Sequence, residues 1–152
     1  MIKNRQLLET EEFKKQVFAR DEYRCVVCRE GGQDAHHIME RKLFDDGGYY
    51  LDNGATLCFK CHFQAERTII SCEAIREAAG IKDAIIPEHL AQDEGERYDK
   101  WGNQILPTGV RLRGELFMDD GCQRALEHAD LHGVFARHVK FPRTMHLPWS
   151  KN

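Results

Sequence analysis

The sequence has no apolar run approaching the ~20 residues that cross a bilayer, so a membrane-spanning helix is not its organising element. The opening residues, Met1-Ile2-Lys3-Asn4-Arg5-Gln6, lead into acidic side chains where a secretory leader would place a hydrophobic stretch. Nothing there reads as an export signal, and a reducing cytoplasm is the expected setting. Internal repeats and low-complexity segments are missing too. A net positive charge is missing: the formal net charge is −3, which argues against coating nucleic acid by bulk electrostatics.

What is present fits one compact domain, or a small metal-stapled module with an extension. A chain of 152 residues can bury a real core but cannot hold two full-sized domains. Hydrophobic residues at 41% and charged residues at 31% are ordinary for a globular protein. Charge is unevenly spread. Residues 131–152 carry Arg137, Lys140, Arg143 and Lys151 with no acid, whereas residues 81–100 carry six acids against three bases. Six cysteines in a reducing compartment point to metal ligands or free thiols rather than disulfides. Cys25 and Cys28 form one C-x2-C pair and Cys58 and Cys61 another, while Cys72 and Cys122 stand alone and are expected to be buried, unpaired thiols.

Along the chain, a first helix is predicted from Thr10 to about Arg20, with Thr10 as cap, Glu11 and Glu12 in the first turn, and Phe13 and Val17 spaced to bury one stripe. Ala35-His36-His37-Ile38 and Ala55-Thr56-Leu57 read as the two strands of a hairpin, with turns at Gly47-Gly48 and Asn53-Gly54 between them. A helix from Cys61 to about Thr68 would put His62 and Glu66 on one face. Another is expected from the cap Ser71 to a left-handed stop at Gly80. Residues 81–118 look mixed, with a turn at Trp101-Gly102-Asn103. A last helix begins at Asp119 or Asp120, buries Cys122, Ala125, Leu126 and Ala129, and ends at Gly133.

Two C-x2-C pairs offer four soft thiolates, the ligand set of a tetrahedral structural zinc. Twenty-nine residues separate Cys28 from Cys58, so the metal would clamp the ends of a long loop. That loop holds His36, His37 and Asn53, and His62 directly follows the last cysteine. The ordered set Cys25-Val-Val-Cys28, Asp34-Ala-His36-His37-Ile38, Asn53 and Leu57-Cys58-Phe-Lys-Cys61-His62 resembles the four-cysteine HNH nucleases, which have the ββα-metal fold. The lead-in from Phe13 to Cys25 resembles the helix that precedes the first knuckle in that family. A proline that often follows the reactive histidine segment is replaced here by Met39-Glu40-Arg41-Lys42, and Glu66 stands where some members carry another histidine.

The resemblance implies catalytic roles for His37, Asn53, His36 and His62. His37 would be the general base that takes a proton from the attacking water, with its imidazole in the same cleft as His36 and His62. His36 and His62, completed by Glu66, would hold one catalytic divalent cation: Mg2+, Mn2+, Ni2+ or Zn2+. Asn53 would either orient His37 or ligate that ion. A weaker resemblance links Val139 to Ser150 with the opening segment of RNA ligases, without the active-site lysine motif. His89, His128, His132, His138 and His146 receive no role.

The expectation is therefore an α+β protein. Residues 1–80 would form a zinc-stapled ββα-metal module with an N-terminal helix, and residues 81–152 a mixed α/β extension packed on it. Its function would be hydrolysis of phosphodiester bonds in nucleic acid, DNA ahead of RNA. The alternatives are a zinc-dependent nucleic-acid-binding module without catalysis, or an RNA-directed nuclease of a repair or toxin system.

Overall fold

A computed structural model describes residues 5–90 and 95–135 of the chain. The basic tail beyond residue 135, with its ligase-like segment and His138 and His146, lies outside the described residues. The architecture is α+β, and among the described residues no helix is long and apolar enough to cross a membrane.

The N-terminal helix α1 spans Thr10–Arg20 and buries Phe13 and Val17. Its cap is Glu9 rather than Thr10: Glu9 has extended backbone angles, and its carbonyl accepts from Phe13 N at 2.8 Å, so Thr10 is already helical. At the other end Asp21 is buried. It receives both nitrogens of the Arg20 fork at 2.8 and 2.9 Å and the Thr56 N–H at 2.8 Å. Arg20 also donates to the carbonyls of Leu51 and Gly54. This charged latch sets the helix across the hairpin that follows.

The hairpin pairs β1 (Asp34–His37) with β2 (Gly54–Leu57), antiparallel, with His36 opposite Ala55 and His37 opposite Gly54. Strand alternation then divides the side chains between two faces. Gly54 and Thr56 look toward α1, where a Cβ on residue 54 would lie 2.6 Å from both Phe13 Cζ and Val17 Cγ2. Only glycine permits so close an approach. Ala55 and Leu57 look the other way, into a core with Cys25, Ile38, Cys61, Ala65 and Ile75.

That second face is covered by α2 (Phe59–Glu66) and α3 (Cys72–Ala79). Helix α2 starts two residues earlier than its composition suggests, because the Cys58 sulfur serves as cap and accepts from Cys61 N. Helix α3 has both expected ends: Ser71 Oγ accepts from Ala74 N, and Gly80 adopts the left-handed conformation at φ 76°. Cys72 is buried with its sulfur toward the Ile38 carbonyl, and Cys122 is fully buried; neither is bonded to another cysteine.

Beyond Gly80 come two short antiparallel strands, β3 (Gln104–Ile105) and β4 (Arg111–Leu112), then α4 (Asp120–Ala129) capped by the Asp119 carboxylate. Helix α4 buries Cys122, Ala125 and Leu126 and stops at Ala129, not Gly133. Asp130 takes the left-handed position at φ 56°, which a short polar side chain tolerates, and Leu131 N returns to the Leu126 carbonyl. The Trp101-Gly102-Asn103 turn is held around Asp99. One Asp99 oxygen accepts from Trp101 N and Asn103 N, and the other accepts from Arg111 at 2.8 Å.

Several bonds fasten these later elements to the hairpin and its helices. The Trp101 indole donates to the Glu66 carbonyl at 2.9 Å, and Arg111 donates to Thr68 Oγ1 at 2.7 Å. Met39 and Leu43 from the hairpin loop form one apolar cluster with Tyr98. Lys100 enters between the parts, its Nζ 3.0 Å from the His37 carbonyl.

Candidate metal centres and active site

The two knuckles meet. The sulfurs of Cys25, Cys28, Cys58 and Cys61 all lie within 4.8 Å of one another, with Cys28 and Cys58 at 3.6 Å. A tetrahedral zinc with bonds of about 2.3 Å would separate its sulfurs by about 3.8 Å, so the donor set fits that ion in kind and in spacing. The local backbone brings this about: Glu22, Tyr23 and Arg29 hold positive φ around the first knuckle, and Cys25 N bonds the Glu30 carbonyl at 2.7 Å. Burial pushes the Cys25 thiol up, but N–H groups of Cys28, Cys58 and Val27 outweigh it and bring it down to about 7. Burial and the neighbouring sulfurs push Cys61 far up. Four thiols this close therefore cannot all ionise without a cation among them.

A second cluster forms between β1 and α2. His36, His62 and Glu66 also place one ligand atom each within 4.8 Å of the others. Glu66 Oε2 lies 3.4 Å from His36 Nδ1 and 3.5 Å from His62 Nε2. Ligand atoms sharing one cation at about 2.1 Å stand about 3.0–3.4 Å apart, so this set too is close to a coordination shell. Both ring nitrogens of His36 are buried without a hydrogen-bond partner, an arrangement that is unfavourable unless something else satisfies it. Burial lowers the His36 pKa to about 3, which leaves the ring neutral with a lone pair to donate. His62 behaves differently. The adjoining Glu66 carboxylate raises its pKa, and Asp34 Oδ2 sits 3.1 Å from its Nδ1. Burial alone would raise Glu66, but His36, His62 and the charge of Lys100 hold its carboxyl well below the usual range.

His37 is elsewhere. As the residue after His36 on one strand it faces α1, stacked on Phe13 at 4.6 Å between ring centroids and edge-on to Tyr49 at 4.7 Å. The expectation of one cleft for His36, His37 and His62 thus meets a strand whose period of two turns neighbouring side chains to opposite faces. His37 is half-buried, and its Nε2 is buried without a partner. Burial, then the positive charges of Lys100 and Arg41, lower its pKa to about 3.

Asn53 is buried and fully committed to backbone. Its Oδ1 accepts from Met39 N at 3.0 Å, and its Nδ2 donates to the carbonyls of Met39 and Gly48 at 3.2 and 3.1 Å. With the Asn53 carbonyl also accepting from Ile38 N at 2.8 Å, this side chain clamps the loop that leaves the end of β1. It bonds neither His37 nor the His36 cluster.

Sequence reasoning missed Lys100. It is 3% exposed, and its Nζ lies 3.0 Å from the His37 carbonyl, 3.3 Å from Glu40 Oε1 and 3.4 Å from Glu66 Oε2. A buried lysine thus links the strand carrying both histidines to the carboxylate of the second cluster. No local motif announces it, since it stands in the Asp99–Asn103 turn, far along the chain from every residue it serves.

Comparison with known proteins bears on the same stretch. Residues 25–68 match the model of the HNH endonuclease family, a stretch that runs from the first knuckle through β1, β2 and α2. It points to a nuclease or nucleic-acid-binding role, and HNH nucleases use divalent metals. No curated protein and no solved structure matches the chain.

Proposed function

We propose that this protein is a metal-dependent endonuclease that hydrolyses phosphodiester bonds, DNA ahead of RNA. The observation that carries the reading is the convergence of His36, His62 and Glu66, with orphaned His36 nitrogens, inside a segment matching the HNH family. The four cysteines would hold a structural zinc, and the His36 cluster a catalytic divalent cation. Bound there, such an ion would stabilise charge developing on the scissile phosphate and leaving oxygen.

The chain's own groups supply the rest. Neutral His36 and ionised Glu66 are donors in the right protonation state at neutral pH, and Asp34 orients His62 through Nδ1. His37 is assigned as general base. Its ring is neutral and the residue is only half-buried, although its partnerless Nε2 is itself buried, while exposed Arg41 adds positive charge nearby. Asn53 and Lys100 act as positioning residues: one fixes the loop after β1, the other fixes the His37 carbonyl and Glu66.

A second reading has one observation in its favour. His37 packs against Phe13 and Tyr49 on the face opposite the metal cluster, as a structural ring in a zinc-stapled binding module would. Cleavage of plasmid DNA and structured RNA with added magnesium, manganese or nickel separates the two. The hydrolytic reading expects metal-dependent cleavage by the parent, lost in His36→Ala. It expects a fall of about 10²–10⁴-fold in His37→Ala with zinc content unchanged. Absence of cleavage with every ion leaves the binding module. Full activity in His37→Ala removes that residue from the mechanism.

A further inference from the structure

The exposed side of α2 carries an aromatic pair that the metal chemistry leaves unused. Phe59 is 70% exposed and Phe63 46%, and their rings stack almost parallel, 4° apart in plane, with centroids at 6.4 Å. The Arg67 guanidinium lies 3.3 Å from the centre of the Phe63 ring. Two large apolar side chains in water, i and i+4 on one helix, bring no core stability. The core face of this helix is the opposite one, through Cys61 and Ala65.

Position connects the pair with the candidate site. At about 100° per residue, Phe59 and Phe63 fall directly beside the stripe of His62 and Glu66 on the helix surface. Carboxylates lie on the His62 and Glu66 side of the pair, and the opposite flank carries two cations. Lys60 is exposed, Arg67 Nε is buried without a partner, and neither side chain meets an acidic group among the described residues. Flat apolar rings flanked by uncompensated cations complement a ligand with flat rings and regular negative charge.

We propose that Phe59 and Phe63, backed by the Arg67 guanidinium, form a stacking platform for unpaired bases, which makes single-stranded nucleic acid the preferred substrate class, with Lys60 meeting its phosphates. The inference rests on the reading of the adjoining cluster as a phosphate-handling site. Duplex bases have both faces occupied by their neighbours and offer the rings nothing to stack on, whereas unpaired bases expose them. A second copy of the chain is a poor occupant, because a two-fold contact sets the same patch against itself and would bring its cations together.

The test uses the full chain, zinc-loaded, without added divalent ion. Anisotropy of labelled oligothymidylate, oligouridylate and a mixed-sequence DNA duplex is compared for the parent, F59A/F63A and F59Y/F63Y. Both alanine positions are on the surface, so zinc content and melting should be unchanged. The double alanine variant should lose about 5- to 100-fold in affinity for single strands, with duplex binding unaffected and the tyrosine pair restoring the loss. The two oligonucleotides separate DNA from RNA as the source of the strand. Equal loss on duplex, no loss on single strands, or a change of oligomeric state in the alanine variant would each overturn the platform. Cleavage assays keep the two readings apart. Selective binding loss in a protein that cuts nothing leaves the platform standing without the hydrolase, while cleavage without binding loss removes the platform alone.

Discussion

Replacing Lys100 with methionine removes an ammonium whose three oxygen neighbours lie at 3.0, 3.3 and 3.4 Å, while keeping much of its apolar stem. At about 3.3 Å two unit charges attract by about 5 kcal/mol for an effective dielectric of 20 and by about 1 kcal/mol in bulk water. Exposure decides where each pair falls between those limits. The Glu40 side chain is 13% exposed and the Glu66 side chain 37%, against 4% for Lys100. Coupling to Glu40 should therefore reach about 2–4 kcal/mol, and coupling to Glu66 about 1 kcal/mol or less after solvent screening. The single change leaves the Glu40 carboxylate and the His37 carbonyl without their donor and should cost about 3–5 kcal/mol. Double-mutant cycles pairing Lys100→Met with Glu40→Gln and with Glu66→Gln, read by urea unfolding of the zinc-loaded protein, give both couplings. A Glu66 coupling larger than the Glu40 coupling, or a total loss below about 0.5 kcal/mol, would refute the argument that burial sets the strength of this network.

Metal analysis of the purified protein should find about one tightly held zinc per chain, and Cys58→Ser should abolish it while the serine hydroxyl keeps an acceptor at the cap of α2. Gly54→Ala should destabilise by about 1–3 kcal/mol, measured by thermal or urea melting, because the new methyl meets Phe13 and Val17 at 2.6 Å. Acidification should destabilise the fold between pH 6.5 and about 3. His36 and His37 have folded values lowered to about 3 by burial, so in that window the unfolded chain holds more protons and their contribution, present above 6.5, is lost as pH falls. Urea midpoints taken in the part of the window where a zinc-sensitive dye shows the metal still bound should show a shallower slope for His36→Gln. His62, raised by Glu66, contributes in the opposite sense, and that part fades as pH rises above 6.5.

The features legible in the sequence are those that neighbouring residues settle among themselves. Two C-x2-C pairs can present four sulfurs to one ion whatever surrounds them, and Ser71 and Gly80 end α3 through bonds and a backbone angle that need only a few adjacent residues. The i,i+4 spacing of His62 and Glu66 likewise places both on one helix face wherever the helix packs. Boundaries were less legible because they depend on competing donors, as when the Cys58 sulfur starts α2 before its apolar periodicity begins. Tertiary structure alone decided how the adjacent histidines divide. Pairing with β2 turns His36 toward α2 and His37 toward α1, since two helices cover opposite faces of one hairpin. It also committed Asn53 to the loop backbone, where a buried amide finds complementary carbonyl and N–H groups. Lys100 was the least legible of all. A lone lysine has no spacing to read, and it gains its role only when the Asp99–Asn103 turn folds over Glu40 and Glu66, where a buried cation is tolerated because carboxylates and a carbonyl already surround the place it fills.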